Sequence, residues 1–227
     1  MKRTILSMLI FALLASGCDS GGGGSDAQVR LIQAGPMTQA LSLYVDQDLV
    51  DTLTYGQVGD YDDTDAGPRT LRGIVGTTEV FSTTLTLDSD IDYSVLTVQE
   101  GAAITPVLIA DNNSSPDFQN FSIRAINAST RAPLVDIYVL HEGDSVVDHE
   151  PNFSTLAFKQ ASNYDQIDRT EWVLWATIAG TKTVVAQAPS QEFKSQETWS
   201  AILEDSASGS GVTFVLNKDR DGDEFNF

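Results

Sequence analysis

The sequence after residue 28 contains the same unit twice, and this repeat limits the fold more than any other feature of the chain. Six short blocks return in the same order, with only small growth in the spacing between the copies. The paired blocks are VRLIQA (29–34) with IRAINA (123–128), LYV (43–45) with IYV (137–139), YGQVGDYD (55–62) with FKQASNYD (158–165), GTTEV (76–80) with GTKTV (180–184), YSVL (93–96) with WSAI (199–202), and VLIAD (107–111) with VLNKD (215–219). Self-similarity in a fixed order predicts two copies of one folding unit. The segment NNSSPDFQ at 112–119 consists largely of turn and breaker residues and is the expected linker.

Each copy has the pattern of β-strands separated by turns. The predicted strands of the first copy are 28–34, 41–46, 49–55, 69–75, 79–87, 91–98 and 104–110. Turn signals such as GDYDDTDAGP and LDSD stand between them, and FSTTLTL alternates so that Phe81, Leu85 and Leu87 share one face. No stretch after the N-terminal leader has helical periodicity. About seven strands per unit predicts an all-β fold of two tandem immunoglobulin-like antiparallel β-sandwich domains, over 28–111 and 120–219.

The first 17 residues have the pattern of a secretory signal peptide. Lys2 and Arg3 form a positive head, and residues 5–15 are an almost unbroken apolar run. This run is shorter than the roughly 20 residues that a membrane-spanning helix needs. A basic head, a short apolar middle and small residues at the end are typical of an export signal.

Cys18, the single cysteine of the chain, follows the small residues Ala15, Ser16 and Gly17. This arrangement resembles the lipobox of bacterial lipoproteins. The resemblance implies that Cys18 becomes the first mature residue and carries diacylglycerol and an N-acyl lipid. Residues 18–27 would then be the acylated cysteine and a flexible Gly/Ser tether. We therefore expect an exported protein, anchored by lipid in the bacterial cell envelope, with the choice of inner or outer membrane left open.

The charge balance is strongly acidic, with 13 Lys and Arg against 32 Asp and Glu and a net charge of −19. Removal of Lys2 and Arg3 with the leader changes this to 11 − 32 = −21. Such a surface repels phosphate backbones, so no nucleic acid partner is expected. Cations, basic proteins and neutral sugars are the compatible partners. The alternative is that the charge only maintains solubility.

The second copy contains NASTRAPLVDIYVL at 127–140. This segment resembles the motif of the bacterial domain-of-unknown-function family DUF4397, roughly A-S-P-x-A-P-x-V-D-V-Y-V. The matching residues are Ala128, Ser129, Ala132, Pro133, Val135, Asp136, Tyr138 and Val139. In the first copy Ala34, Pro36, Tyr44 and Val45 match, and Ser42 replaces the aspartate. The resemblance implies an extracytoplasmic β-sandwich, often in tandem and often lipid-anchored, and it implies no known activity.

Three acidic or histidine-containing segments are candidates for cation binding. The first is GDYDDTDAG at 59–67, with Asp60, Asp62, Asp63 and Asp65 as oxygen ligands for calcium. The second is LHEGDSVVDHEPNF, in which His141 and His149 stand beside carboxylates that could complete a zinc site. The third is the acidic tail over 220–227 with the residues before it, where Asn217, Asp219, Asp221 and Asp223 are spaced as in an EF-hand loop. For each segment the alternative is a solvated loop or terminus.

All three tryptophans lie in the second copy. Trp172 and Trp175 are three residues apart, so a regular strand places them on opposite faces. One of them is therefore a candidate for stacking on a sugar or a partner, and packing between the domains is the alternative.

No motif indicates an enzyme. Cys18 is assigned to lipid, both histidines lie in one loop, and no nucleophile-elbow or phosphate-binding glycine pattern is present in the sequence. The leading hypothesis is a non-catalytic envelope lipoprotein that contacts a protein or glycan partner and needs no cofactor. The alternative is a calcium, zinc or small-ligand binding module.

Overall fold

Short β-strands make up most of the chain over residues 26–222, the part that the computed structural model describes. One turn of 3-10 helix, Val146–Asp148, is the single helical element among these residues. No helix in this part of the chain is long and apolar enough to cross a membrane. The all-β class predicted from the strand pattern is confirmed.

The first half of the fold contains nine strands. They are β1 Asp26–Gln33, β2 Leu41–Val45, β3 Asp48–Leu53, β4 Gln57–Val58, β5 Asp62–Asp65, β6 Gly67–Val75, β7 Thr78–Leu87, β8 Asp92–Glu100 and β9 Ala103–Asp111. One sheet, which we call inner sheet 1, has the order β4-β1-β8-β9, with β5 also pairing with β1. The other, outer sheet 1, has the order β3-β2-β6-β7.

The second half repeats this arrangement. Its strands are β10 Asn120–Asn127, β11 Leu134–Leu140, β12 Phe153–Ala157, β13 Asp165–Asp168, β14 Glu171–Ile178, β15 Val184–Gln187, β16 Gln191–Glu192, β17 Thr198–Asp205 and β18 Val212–Arg220. Inner sheet 2 has the order β13-β10-β17-β18, and outer sheet 2 has the order β12-β11-β14-β15, with β16 on β14. The strand order is that of the first half, with β13 equivalent to β5, and β16 is an addition that outer sheet 1 does not have.

In each half one strand pair is parallel, where the sequence pattern predicts antiparallel pairing throughout. β1 lies parallel to β8, with Leu31 opposite Val95, and β10 lies parallel to β17, with Ala125 opposite Ala201. Parallel neighbours require a long connection between them. The connection passes through all the strands of the outer sheet, with a brief return to the edge of the inner sheet at β4 and β5 in the first half and at β13 in the second.

The four sheets stack in the order outer 1, inner 1, inner 2, outer 2, so both inner sheets are buried on two faces. Val29 and Leu31 of β1 pack toward outer sheet 1 in the core of the first half. Ile32, from the other face of β1, packs instead with Ile126 and Ile202 of the second half. This two-sided burial explains why the residues of VRLIQA and IRAINA are buried on both faces and do not simply alternate between apolar and polar.

Every strand predicted for the first half is present, and two short ones were not predicted. The alternation of FSTTLTL is confirmed, because Phe81, Leu85 and Leu87 pack into the first core. The prediction of a turn over GDYDDTDAGP is wrong for Asp62–Asp65, which form β5 on the edge of inner sheet 1. Aspartate disfavours strands, but at an exposed edge its carboxylate stays in water while the backbone pairs with β1.

Candidate functional site

Two arginines lie inside the molecule, at equivalent places in the first strands of the two halves. Arg30 of β1 and Arg124 of β10 are each 1% exposed. Both belong to largely buried strands, and alternation directs their side chains to the face where the inner sheets meet. A buried guanidinium needs a carboxylate and hydrogen-bond acceptors to offset its lost hydration.

Each arginine pairs with the aspartate at the end of the other half. Arg30 Nη1 lies 2.7 Å from Asp219 Oδ1, and Arg124 Nη1 lies 2.5 Å from Asp111 Oδ1. Both carboxylates are fully buried. The two ion pairs therefore cross the boundary between the halves in opposite directions, and we call them the crossed pairs.

Serine and tyrosine hydroxyls complete the network around the crossed pairs. Arg30 Nε donates to Ser94 Oγ at 2.8 Å, and Arg124 Nε donates to Ser200 Oγ at the same distance. These serines in turn donate to the aspartate of their own half, at 2.5 Å for Asp111 and 2.6 Å for Asp219. The network has the same members on both sides of an approximate twofold axis.

Tyr61 and Tyr164 cover the two guanidinium groups. Their rings lie 4.5 Å from the Arg30 carbon and 4.8 Å from the Arg124 carbon, as measured from ring centre to Cζ. The Tyr61 hydroxyl donates to Asp111 at 2.5 Å, and the Tyr164 hydroxyl donates to Asp219 at 2.8 Å. Burial raises the pKa of both phenols, with the neighbouring carboxylates adding to the effect. Both therefore remain neutral donors at physiological pH.

The charges of the network balance, so it has little capacity to bind an ion. Burial opposes ionisation of Arg30, but Asp219, Tyr61 and Asp111 outweigh it and raise the arginine pKa. Arg124 behaves in the same way through Asp111, Tyr164 and Asp219. Two cations and two anions offset one another, and among the described residues of this network only Arg30 Nη2 lacks a hydrogen bond, with Asp111 Oδ2 3.8 Å away. The arrangement holds the halves together and leaves no charge for chemistry on a ligand.

An apolar contact surrounds the crossed pairs. It is formed by Ile32, Ala34, Leu96 and Val98 from the first half and by Ile126, Ala128 and Ile202 from the second. All seven side chains are buried. Removing this surface from water adds a non-directional attraction to the directional ion pairs, so the halves form one body.

The acidic cluster predicted over 60–65 is joined by carboxylates from other strands. A cavity of about 270 Å³ is lined by Asp62, Asp63 and Asp65 of β5 together with Asp26, Asp46 and Asp48. Asp60 does not line it. Arg69 supplies a cation at 3.3 Å from Asp46 and 3.2 Å from Asp65. Among residues 26–222, no group of three or more His, Cys, Asp or Glu side chains has the geometry of a metal site.

The predicted EF-hand spacing lies in a strand and not in a loop. Asn217 and Asp219 belong to β18, and the Asn217 amide donates to Asp219 at 3.1 Å. Asp219 is already bound to Arg30, while Asp221 pairs with Lys218 at 2.8 Å. Extended backbone points these side chains in directions that a calcium loop does not use. Asp223 lies outside the described residues.

The two histidines have separate surroundings. His141 stacks on Trp172, with ring centres 3.9 Å apart. His149 Nε2 lies 3.7 Å from Asp144. The structure therefore gives each histidine its own neighbour, and zinc binding by this loop stays a prediction.

Trp172 and Trp175 occupy opposite faces of β14, as their spacing predicts. Trp172 packs against the second core, and its indole nitrogen donates to the Asp168 carbonyl at 2.8 Å. Trp175 packs on the outer face with a small cluster around Tyr138. Both rings are half-buried, and stacking on a ligand stays a prediction. Cys18 and the leader lie outside the described residues.

Sequence reasoning missed the network, although its members stand in the repeated blocks. The pairs Arg30 and Arg124, Tyr61 and Tyr164, Ser94 and Ser200, and Asp111 and Asp219 occupy matching positions in four of the six blocks. The signal that could have identified them is an arginine that recurs within a hydrophobic block of both copies, while an aspartate recurs at a matching position of another block.

Comparisons with known proteins give a family match and distant structural likenesses. The model described as Domain of unknown function (DUF4397) matches residues 27–138, just under half of the chain. No curated protein matches the sequence. The crystal structure of CBMbc (family CBM26) from Eubacterium rectale Amy13K in complex with maltoheptaose is 10% identical and covers 86% of this chain and 98% of that chain, with a TM-score of 0.25. That score is below the range that indicates a common fold. The match to DUF4397 over residues 27–138 supports the family resemblance that the motif at 127–140 predicts.

Proposed function

We propose that this chain is a non-catalytic cell-envelope protein, anchored by lipid on Cys18, that binds a protein or glycan partner with its two sandwiches held as one rigid body. The observation that carries the proposal is the crossed pairs, because they commit the buried charges to joining the halves. Arg30 and Arg124, with their aspartates, serve the interface and are unavailable for catalysis.

Rigidity favours a binding role on physical grounds. A partner that contacts both halves of a flexible chain must order them, and that ordering costs conformational entropy. Halves that are already fixed have lost this entropy during folding. The crossed pairs therefore pre-organise two surfaces at a set distance.

The outer sheets provide those surfaces, because the inner sheets face each other. On outer sheet 1, β7 exposes Ser82, Thr84 and Thr86, a row of short polar side chains. On outer sheet 2, the outer face carries the half-buried Trp175, and Val146 from the segment after β11 packs beside it. Short hydroxyls and a half-buried indole are groups that proteins use for contacts with glycans or with other proteins.

Fatty-acid labelling in the native host tests the anchor. Wild-type protein should incorporate the label and fractionate with membranes, whereas Cys18→Ser should do neither. Intact mass of the wild-type protein should show a cleaved leader and acyl chains on Cys18. An unmodified thiol on the wild-type protein would disprove the anchor.

Partner binding is tested with the mature Cys18→Ser chain, by glycan array and by cross-linking capture from the native envelope. A partner that needs the rigid arrangement should bind Arg124→Met more weakly than wild type. Arg72→Met is the matched control, since Arg72 forms a surface pair with Glu79 at 2.8 Å. Equal loss in both variants, or no specific partner, would count against the proposal. So would hydrolysis that depends on His141 or His149.

A second candidate function, cation binding, is favoured by the acidic cavity beside β5. The fold brings Asp26, Asp46 and Asp48 to the three aspartates of β5, around a single arginine. Calcium titration by calorimetry, with zinc as comparison, should give heat that Asp62→Asn/Asp63→Asn abolishes. A silent titration with an unchanged melting temperature would remove this candidate.

A further inference from the structure

Glu204 is a buried carboxyl group at the contact between the two halves. It lies in β17 and is 4% exposed. It faces the turn at Tyr55 and Gly56 of the first half, where a side-chain carbon on Gly56 would lie 3.1 Å from Glu204 Oε1. Among the described residues, Glu204 Oε2 has no hydrogen-bond partner.

The repeat shows that a carboxyl group is unusual at this position. Counting along the matched strands from Ser94 and Ser200, the equivalent of Glu204 in the first half is Val98, which is fully buried in the apolar contact. Valine fits the contact without a charge. Glu204 therefore breaks the approximate twofold symmetry of the interface.

The opposite end of the interface has the cation that this end lacks. There Lys159, from the second half, forms an ion pair with Glu100 of the first half. The residue that matches Lys159 in the first half is Gly56. Glu204 thus faces Gly56, whereas the residue equivalent to Gly56 in the second half, Lys159, carries an ammonium group.

The charged groups around Glu204 do not neutralise it. Asp205, the next residue, accepts hydrogen bonds from Ser129 and Thr130. Arg131 lies 3.8 Å from Asp205 and forms no ion pair with Glu204. Tyr55, from the facing turn, donates its hydroxyl to the Asp205 carbonyl. β18, which pairs with β17 here, places Thr213 opposite Glu204.

Burial, with a smaller contribution from Asp205, raises the pKa of Glu204 to about 7. The folded protein therefore holds this proton more tightly than the unfolded chain, whose carboxyl has its ordinary pKa of 4.5. The contribution of protonated Glu204 to the free energy of unfolding is fully present below about pH 4.5, and it is lost as the pH rises through about 7.

We propose that Glu204 makes the contact between the two halves sensitive to protonation, so that its neutral form closes the Tyr55–Gly56 turn onto β17 and its ionised form loosens it. The crossed pairs keep the centre of the interface joined in both states. We expect the interface to loosen only at the end near Glu204, because the ion pair between Lys159 and Glu100 joins the halves at the opposite end.

Hydrogen exchange of the mature Cys18→Ser chain, followed by mass spectrometry from pH 5 to 8 and corrected for intrinsic rates, tests this proposal. The opening constant of segment 54–58 should rise up to roughly a hundredfold in wild type, because each unit of pKa difference contributes about tenfold. The opening constant should not change with pH in Glu204→Gln or in Glu204→Val. The second variant has the residue found at the equivalent position of the first half, Val98. Glu192→Gln, an exposed glutamate of the same half, should behave as wild type.

Two outcomes would overturn the proposal. One is a rise of the same size in wild type and in both Glu204 variants, which would assign the effect to another group. The other is a wild-type opening constant that does not change with pH. Circular dichroism checks that the variants fold. If neither Glu204 variant folds, the wild-type exchange profile decides. A rise of the opening constant that is confined to residues 54–58 and β17 supports the proposal, and a rise of the same size in all segments overturns it.

Discussion

Arg30, in the first strand of the described fold, lies 2.7 Å from Asp219 in the last strand, so the two ends of the fold meet in a buried ion pair. Arg124 and Asp111 repeat the contact with the roles of the halves exchanged. Each half thus supplies one cation and one anion to the interface. Removing any one of these groups leaves an opposite charge in the interior without its partner.

We expect Asp219→Ala to lower the free energy of unfolding by about 3–5 kcal/mol, because the buried Arg30 then has only Asp111, which lies 3.8 Å away and is already paired with Arg124. Urea unfolding of the mature chain measures this loss. The double variant Arg30→Met/Asp219→Leu should lose less, since it removes both charges. Asp221→Ala is the control, because Asp221 is exposed, and it should unfold as wild type. Equal losses for Asp219→Ala and Asp221→Ala would show that the crossed pairs do not stabilise the fold.

We expect Asp136→Ala, at the aspartate of the DUF4397 motif, to cost about 3 kcal/mol of stability. The buried carboxylate accepts hydrogen bonds from the backbone nitrogens of Thr155 and Gly180, both at 2.7 Å. Thr155 has a φ of 51°, which is unusual for a β-branched residue and needs such support. Thermal and urea unfolding measure the loss.

Ser42→Ala is the control for Asp136, because Ser42 occupies the equivalent position in the first half. Its hydroxyl shares a hydrogen bond with Thr52 at an exposed site, so its loss should be small. An Asp136→Ala variant as stable as Ser42→Ala would show that the motif aspartate is not structural.

We expect Gly73→Ala to destabilise the first half, although alanine in place of glycine normally stabilises a strand. A side-chain carbon on Gly73 would lie 2.1 Å from Cε1 of Phe81, its partner across β6 and β7. The aromatic ring must move out of the first core to make room. Gly73→Ala/Phe81→Leu should recover part of the loss, and a Gly73→Ala melting temperature at or above wild type would contradict the clash.

The sequence predicts the strands well because most of them carry a face or a run of apolar side chains. β7 shows the clean alternation of a strand with one buried face. β1 is buried on both faces because it lies between two layers, and an interpretation as two separate sandwiches gives no reason for that burial. β5 was missed because its three aspartates match the composition of a turn, and only its pairing with β1 makes it a strand.

The candidate site could be predicted only in part, for a physical reason. The pattern-based candidates are residues whose chemistry is visible locally, such as Asp62 or His141. The crossed pairs depend on residues far apart in the chain, and Asp219 pairs with Arg30 although Lys218 and Arg220 are its neighbours in sequence. The repeat was the one source of this information, because both members of each pair recur at matching positions.

The eight residues between β9 and β10 have a consequence for the strength of the interface. A link this short keeps each half at an effective concentration on the order of millimolar around the other. A contact that would be too weak to join two separate molecules is then closed nearly all the time. The interface can therefore include a poorly matched group such as Glu204 and still hold the two sandwiches together.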